Sequence, residues 1–222
     1  MTAIVTGASR GFGRAIAIAL SAAGDHVVGV SRTPVQDVPF EAVTADAADP
    51  AVAIELVKQH RPTVLVLNAG AIPPMRPIDE LTWAEFEHNW QVDTRHAFEW
   101  TKAALTLPLE PGSIVIAMSS GAALRGSPAS GGYASAKAAV RFISTYAADE
   151  SRRRGLGLRF ATVMPQLTAM TELGKAGVAG YAARNGTSVP AYDVMLTPEK
   201  VAQHVLDLVA GTEPYTEGVL TA

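Results

Sequence analysis

The sequence contains no cysteine, which excludes disulfides, thiolate metal sites and a cysteine nucleophile, and fits a reducing cytoplasm without requiring one. Charge is sparse: 18% of residues are charged and the net charge is -3, so nothing calls for nucleic acid or an anionic membrane as partner. Arg152-Arg153-Arg154 is the one basic cluster, and it reads as the end of a helix, where cations complement the dipole. No run is apolar for long enough to span a bilayer. The opening Met1-Thr2-Ala3-Ile4-Val5-Thr6 lacks a charged segment followed by a long apolar one, so it is expected to be a first strand rather than a signal peptide. The five histidines are dispersed, with no pair at metal-ligand spacing on one element, and no metal is expected. Asp79-Glu80 and Asp149-Glu150 read as helix-terminal or exposed acids.

What is present points to one α/β domain over residues 1–222, since 48% of the chain is hydrophobic and no segment looks like an interdomain linker. Short β-rich apolar runs (Ala3–Thr6, His26–Ser31, Ala42–Ala45, Thr63–Leu67, Ser113–Met118, Leu158–Val163, Gly218–Thr221) alternate with helical patterns. The helices are expected at Gly13–Ala23, Ala51–Gln59, Trp83–Leu105, Ala134–Arg153 and Pro198–Val209, the last capped by Thr197. The pattern predicts a Rossmann-like, doubly wound domain: a seven-stranded, mostly parallel sheet with helices on both faces. Thr33–Phe40 carries two prolines and is expected to be a loop. Residues 168–196, rich in Ala and Gly, form a candidate lid over the carboxyl ends of the strands.

The strand ending at Thr6 runs into Gly7-Ala8-Ser9-Arg10-Gly11-Phe12-Gly13 and then an apolar helix. That gives a tight turn, close backbone approach and a helix N-terminus for a dinucleotide pyrophosphate. No Lys-Ser/Thr pair follows, which disfavours a nucleoside triphosphate. Further on, Tyr133 offers a phenol acid, Lys137 a cation one helical turn away, and Ser120 a hydroxyl thirteen residues before the tyrosine. A free phenol near pKa 10 is a poor acid or base at neutral pH, and an adjacent ammonium stabilises its anion.

With these residues in view, the chain resembles the short-chain dehydrogenase/reductase family. TGASRGFG matches its cofactor turn, Asn68-Ala69-Gly70 its NAG after the fourth strand, and Tyr133-Ala134-Ser135-Ala136-Lys137 its YxxxK, while Ser120 occupies the usual place of the catalytic serine. The resemblance implies reversible interconversion of a carbonyl and an alcohol by hydride transfer. Tyr133 is then the general acid/base, Lys137 lowers its pKa and holds the nicotinamide ribose, and Ser120 orients the substrate oxygen. Gly7, Ser9, Arg10, Gly11, Phe12, Gly13, Asn68, Ala69 and Gly70 become cofactor contacts, and Asp46-Ala47 resembles the adenine-contacting pair. Arg10 inside the turn and Ser31-Arg32 after the second strand, with no acid ending that strand, imply NADP(H) over NAD(H).

Three departures stand out. Val92-Asp93 replaces the family's Val-Asn, so Asp93 either preserves that residue's proton relay, pairs with a cation and alters the pH response, or marks a site without turnover. After the sixth strand Pro165 matches, Gln166 replaces glycine, and Thr168 or, after a shift, Thr171 is left for the nicotinamide carboxamide. The chain also ends at Ala222 without the longer tail common in the family, which favours a homodimer through the middle helices over a tetramer. Leu124, Met164, Leu173, Val178 and Tyr181 hint at an apolar pocket for a medium-sized ketone, hydroxy-acyl group or cyclic alcohol. Trp83, Trp90 and Trp100 are expected to serve packing or an interface. The alternative function is an NADP(H)-binding regulatory or interaction protein that has lost turnover.

Overall fold

A computed structural model describes residues 1–188, 196–213 and 217–221. Seven strands form one sheet in the order β3-β2-β1-β4-β5-β6-β7, every neighbouring pair parallel. They are β1 (Thr2–Thr6), β2 (His26–Ser31), β3 (Glu41–Thr44), β4 (Val64–Leu67), β5 (Ile114–Met118), β6 (Arg159–Pro165) and β7 (Glu217–Leu220). The central strands β1, β4 and β5 are almost wholly buried, which is why their sequences are unbroken apolar runs; the edge strands β3 and β7 are partly exposed and mixed.

Helices cover both faces. On one side α1 (Gly11–Ala22) and α8 (Pro198–Ala210) pack through Ile16, Leu20, Val201 and Val205. On the other, α2 (Pro50–His60), α4 (Arg95–Thr106) and α6 (Gly131–Arg154) enclose Leu56, Val57, Trp100 and Ala147. Among the short elements, α3 (Trp83–Asn89) is opened by a capping box between Thr82 and Glu85, and α5 (Ala122–Arg125) follows β5. The Thr197 cap of α8 is present, accepting from Lys200 N–H.

The structure departs from the expected elements in the middle helix. The 83–105 pattern is not one helix: α3 ends at Asn89, a π-helical turn occupies Trp90–Thr94, and α4 begins at Arg95. The extra residue of the wider turn keeps the apolar stripe on the sheet while swinging Asp93 inward, a device that recurs at functional sites. The lid segment also holds a regular helix, α7 (Glu172–Asn185), capped by Thr171; its weak apolar periodicity reflects packing through Gly174, Gly177, Val178 and Ala182 rather than large side chains. The rest of that segment, 189–195, lies outside the described residues. Residues 33–40 form the expected loop.

Candidate active site

The strand order reverses between β1 and β4, and their carboxyl ends diverge to leave a cleft of about 1010 Å³. The turn from β1 to α1 forms its floor. Gly7 and Gly11 adopt positive φ (69° and 56°), and a Cβ on Gly13 would stand 2.3 Å from the Gly7 carbonyl. Arg10 at the N-cap of α1 makes no side-chain cap, so the first N–H groups of the helix remain available for an anion. This cradle fits a dinucleotide pyrophosphate. Asn68 braces it by donating to the Thr6 and Gly7 carbonyls at 3.1 and 3.4 Å.

The other expected cofactor residues are distributed along the same cleft. Ser9, Arg10, Gly11, Phe12, Ser31, Arg32, Asp46, Ala47, Asn68, Ala69, Gly70, Pro165 and Thr168 all line it. Arg10 and Arg32 are exposed at its mouth. Ser31 is buried and its hydroxyl donates to Thr33 O, so it shapes the loop. Asp46 accepts from Ala48 N–H, and Ala47 O accepts from the Trp100 indole, which fixes the turn after β3. Thr168 is buried, its hydroxyl donating to Leu196 O at 2.7 Å and accepting from Met170 N–H. Thr171 is engaged as the cap of α7.

The chemical residues meet where β5, the π-turn and α6 converge. Ser120 lines the cleft beside Tyr133, its hydroxyl near enough to lower the phenol's pKa, whereas the adjacent Ser119 is buried and donates to Lys137 O at 2.7 Å. Lys137 Nζ lies 5.7 Å from the Tyr133 ring centre, donates to Met118 O at 3.0 Å and stands 3.1 Å from Asp93 Oδ1. Of the three alternatives open for Asp93, the geometry realises the ion pair with a cation. Among the described residues no other group hydrogen-bonds Oδ1, which is left to the ammonium.

Burial is the largest influence on Tyr133 and pushes its phenol above the usual value; the Lys137 charge and the Ser120 hydrogen bond pull it down, and Asp93 pushes it up. For Lys137, burial works against the charged form, but Asp93 and Tyr133 more than offset it, and the ammonium is held above its ordinary value. The lysine therefore does not bring the phenol below its free value here, because the cost of burying the phenolate outweighs the pull of the ammonium, and Asp93 adds a smaller push in the same direction. A phenol that stays protonated through neutral pH is the form that donates a proton to a carbonyl oxygen.

Of the pocket residues expected from the sequence, Leu124, Leu173 and Tyr181 line the cleft. Met164 and Val178 do not: both are buried in the packing beneath it, Met164 within β6 and Val178 on the inner side of α7. A hydroxyl cluster went unnoticed in the sequence. Tyr181 OH on α7 meets Ser127 Oγ, which meets Ser130 Oγ, tying the lid to the segment before α6. Asn89, Thr6 and His96 are further contributors; an asparagine one helical turn before Asp93 was the available signal for the first.

Elsewhere, the fold brings His26, Glu41 and His60 within 4.8 Å of one another from three elements, although none pair by spacing. His26 Nε2 and Glu41 Oε2 lie 3.2 Å apart there, both exposed. The arginine triplet is engaged with Asp149 and Glu150 at the end of α6, as the helix-end reading requires. Trp100 is buried, while Trp83 and Trp90 are exposed. Among the described residues, no helix is long and apolar enough to cross a membrane.

Residues 1–181 match the short chain dehydrogenase family model. The chain is 32% identical to D-erythrulose reductase of Gallus gallus over 186 residues, 78% of this chain and 73% of that one. It is 37% identical to L-xylulose reductase of Mesocricetus auratus over 100 residues, which span 42% of this chain and 41% of that relative's length. A short chain dehydrogenase from Burkholderia cenocepacia in complex with NADP superposes with a TM-score of 0.80 at 26% identity, covering 98% of this chain and 94% of that one.

Proposed function

This chain belongs to the short-chain dehydrogenase family, and from that premise we propose that it is an NADP(H)-dependent reductase of a small ketone. The observation that carries the reading is the convergence of Ser120, Tyr133 and Lys137 on the cleft that the glycine turn opens. When bound, the nicotinamide supplies the hydride. Tyr133 supplies the proton to the carbonyl oxygen, and its elevated phenol is in the right form to do so. Ser120 shares that oxygen and turns the carbonyl carbon toward the cofactor side of the cleft. Lys137 stabilises the phenolate left behind and reaches the nucleotide ribose.

Arg10 and Arg32 at the mouth supply charge for a 2′-phosphate, which favours NADP(H) over NAD(H). At the substrate end, Leu124, Leu173 and Met75 alternate with the hydroxyls of Ser127, Ser130 and Tyr181. That mixture suits a hydroxylated ketone, in keeping with the substrates that name the two relatives. A homodimer forms through the outer face of α4 and α6, where Phe98, Phe142 and Tyr146 are exposed together with Trp90 of the π-turn. An apolar patch of this kind is self-complementary across a two-fold axis.

The test is titration of NADPH and NADH by tryptophan fluorescence, followed by a panel of plain and hydroxylated ketones monitored for cofactor oxidation. Tighter binding of NADPH with turnover of a panel member is expected. Tight binding without turnover would instead favour a nucleotide-binding regulatory protein, and no binding would overturn the reading. Light scattering of wild type against Phe142→Glu tests the dimer.

A further inference from the structure

We propose that Asn89 is a positioning residue, whose side-chain amide locks the Asp93 carboxylate in place as the resident counter-charge of Lys137, with or without nucleotide. The inference rests on the reductase reading and extends it to a residue outside the expected site.

Asn89 is fully buried at the last position of α3, four residues before Asp93 on the far side of the π-turn. Its Nδ2 donates to Ala71 O at 2.9 Å and to Asp93 Oδ2 at 3.2 Å. Both partners are acceptors, so the amide can stand only one way round. Ala71 N–H donates to the same Oδ2 at 3.0 Å. Two donors thus hold one carboxylate oxygen, and the other is left facing Lys137 Nζ at 3.1 Å. Asn89 Oδ1 is buried without a partner among the described residues, which is a cost to folding. A leucine would fill the space without that cost, so the donor end of the amide is what the position uses.

The charge balance explains the need. Lys137 is 5% exposed, and a buried ammonium without a counter-ion is strongly destabilising. The titratable groups around it are Asp93 on the π-turn, Tyr133 on its own helix and His96 on α4, and His96 is held neutral. The anion is therefore Asp93. Of the three ammonium protons, one goes to Met118 O and the carboxylate attracts from its side, which leaves the cleft side free to serve Tyr133 and a ribose hydroxyl. Asn89 braces this arrangement between the loop after β4 and the π-turn.

The experiment compares wild type with Asn89→Leu, Asp93→Asn and the double variant, each checked by circular dichroism and NADPH fluorescence titration. Asn89→Leu is expected to lower kcat about tenfold, as misplacement of a group around the reacting centre does, with carbonyl KM and NADPH affinity within about twofold. Asp93→Asn removes a charge that pushes Tyr133 upward, so the alkaline limb of the pH profile should move down. Asn89→Leu should move it part of the way, and should add nothing in the Asp93→Asn background. An unchanged pH limb in Asn89→Leu, or losses that add in the double variant, would overturn the proposal and leave Asn89 a packing residue.

The ¹⁵N ammonium signal of Lys137, assigned by its disappearance in Lys137→Met, gives a readout independent of turnover. Slow proton exchange in wild type and faster exchange in Asn89→Leu support the positioning role even if no ketone is reduced, in which case the reductase reading alone fails. Equal exchange in the two proteins overturns the positioning role whatever the turnover. If Asn89→Leu does not fold, Asn89→Ala removes the same donor and replaces it in each comparison.

Discussion

The hydroxyl of Thr6 lies 2.9 Å from His96 Nε2, joining the end of β1 to α4 beneath the cleft. The same oxygen accepts from the N–H groups of Asn68 and Ala69 at 2.9 and 3.1 Å, so one threonine holds the start of the Asn68-Ala69-Gly70 segment against the glycine turn. His96 pays for this position in basicity: burial, then the Lys137 charge, lowers its pKa from 6.5 to about 3.

Acid stability follows from that shift. Between pH 6.5 and about 3 the unfolded chain binds a proton on this residue that the folded chain does not, so stability rises with pH through the window and is lost on acidification. One proton corresponds to about 1.4 kcal/mol per pH unit, or about 2 kcal/mol between pH 6.5 and 5. Urea unfolding of wild type and His96→Gln at those two pH values should show the variant losing about that much less. Equal losses would remove His96 from the account.

Tyr133→Phe removes the proton donor while leaving the ring in place. Carbonyl reduction should fall by about 10²- to 10⁴-fold, with NADPH affinity changed by less than about threefold. Wild-type reduction should persist into alkaline pH, because the phenol sits above its usual value before it is lost as a donor. Stopped-flow oxidation of NADPH across pH measures both, and substantial turnover by the phenylalanine variant would dismiss Tyr133 as the acid.

Arg10→Glu and Arg32→Glu should each weaken NADPH binding by about tenfold or more, from the loss of a charge-assisted contact and the added repulsion. NADH binding should change little, since both side chains are exposed at the mouth of the cleft. Fluorescence titration with each nucleotide decides it. Equal effects on the two would mean that the arginines do not read the 2′-phosphate.

Gly13→Ala would place a methyl group 2.3 Å from Gly7 O and 2.4 Å from Asn68 Nδ2. Neither can move without opening the turn, so a loss of about 1 to 3 kcal/mol in stability is expected, together with nucleotide affinity. Thermal unfolding with and without NADPH tests this. A variant of normal stability that is still stabilised by nucleotide would show the turn to be looser than its contacts indicate.

The strands were legible because each central one is buried on both faces and must be apolar throughout; their boundaries shift by one or two residues, as at β6, where Pro165 still belongs to the strand. The π-turn was not legible, since Val92 and Asp93 sit in a pattern that an unbroken helix satisfies equally well. The bounds of the lid helix were not legible because glycines and alanines bury it without a recognisable stripe.

The same division runs through the site. Gly7, Gly11 and Gly13 had to be glycine for reasons of backbone conformation and local space, and Tyr133 and Lys137 share a helix face by spacing alone, so local chemistry marked them in the sequence. That Asp93 would meet Lys137 was decided only by the tertiary structure, which brings the β4 loop, the π-turn and α6 together. So was the role of Asn89, whose two acceptors are Ala71 O, eighteen positions away in the chain, and an oxygen turned inward by the π-helical turn. An ion pair depends on distance and on the loss of water around it, and for residues 44 positions apart, as Asp93 and Lys137 are, only folding sets either.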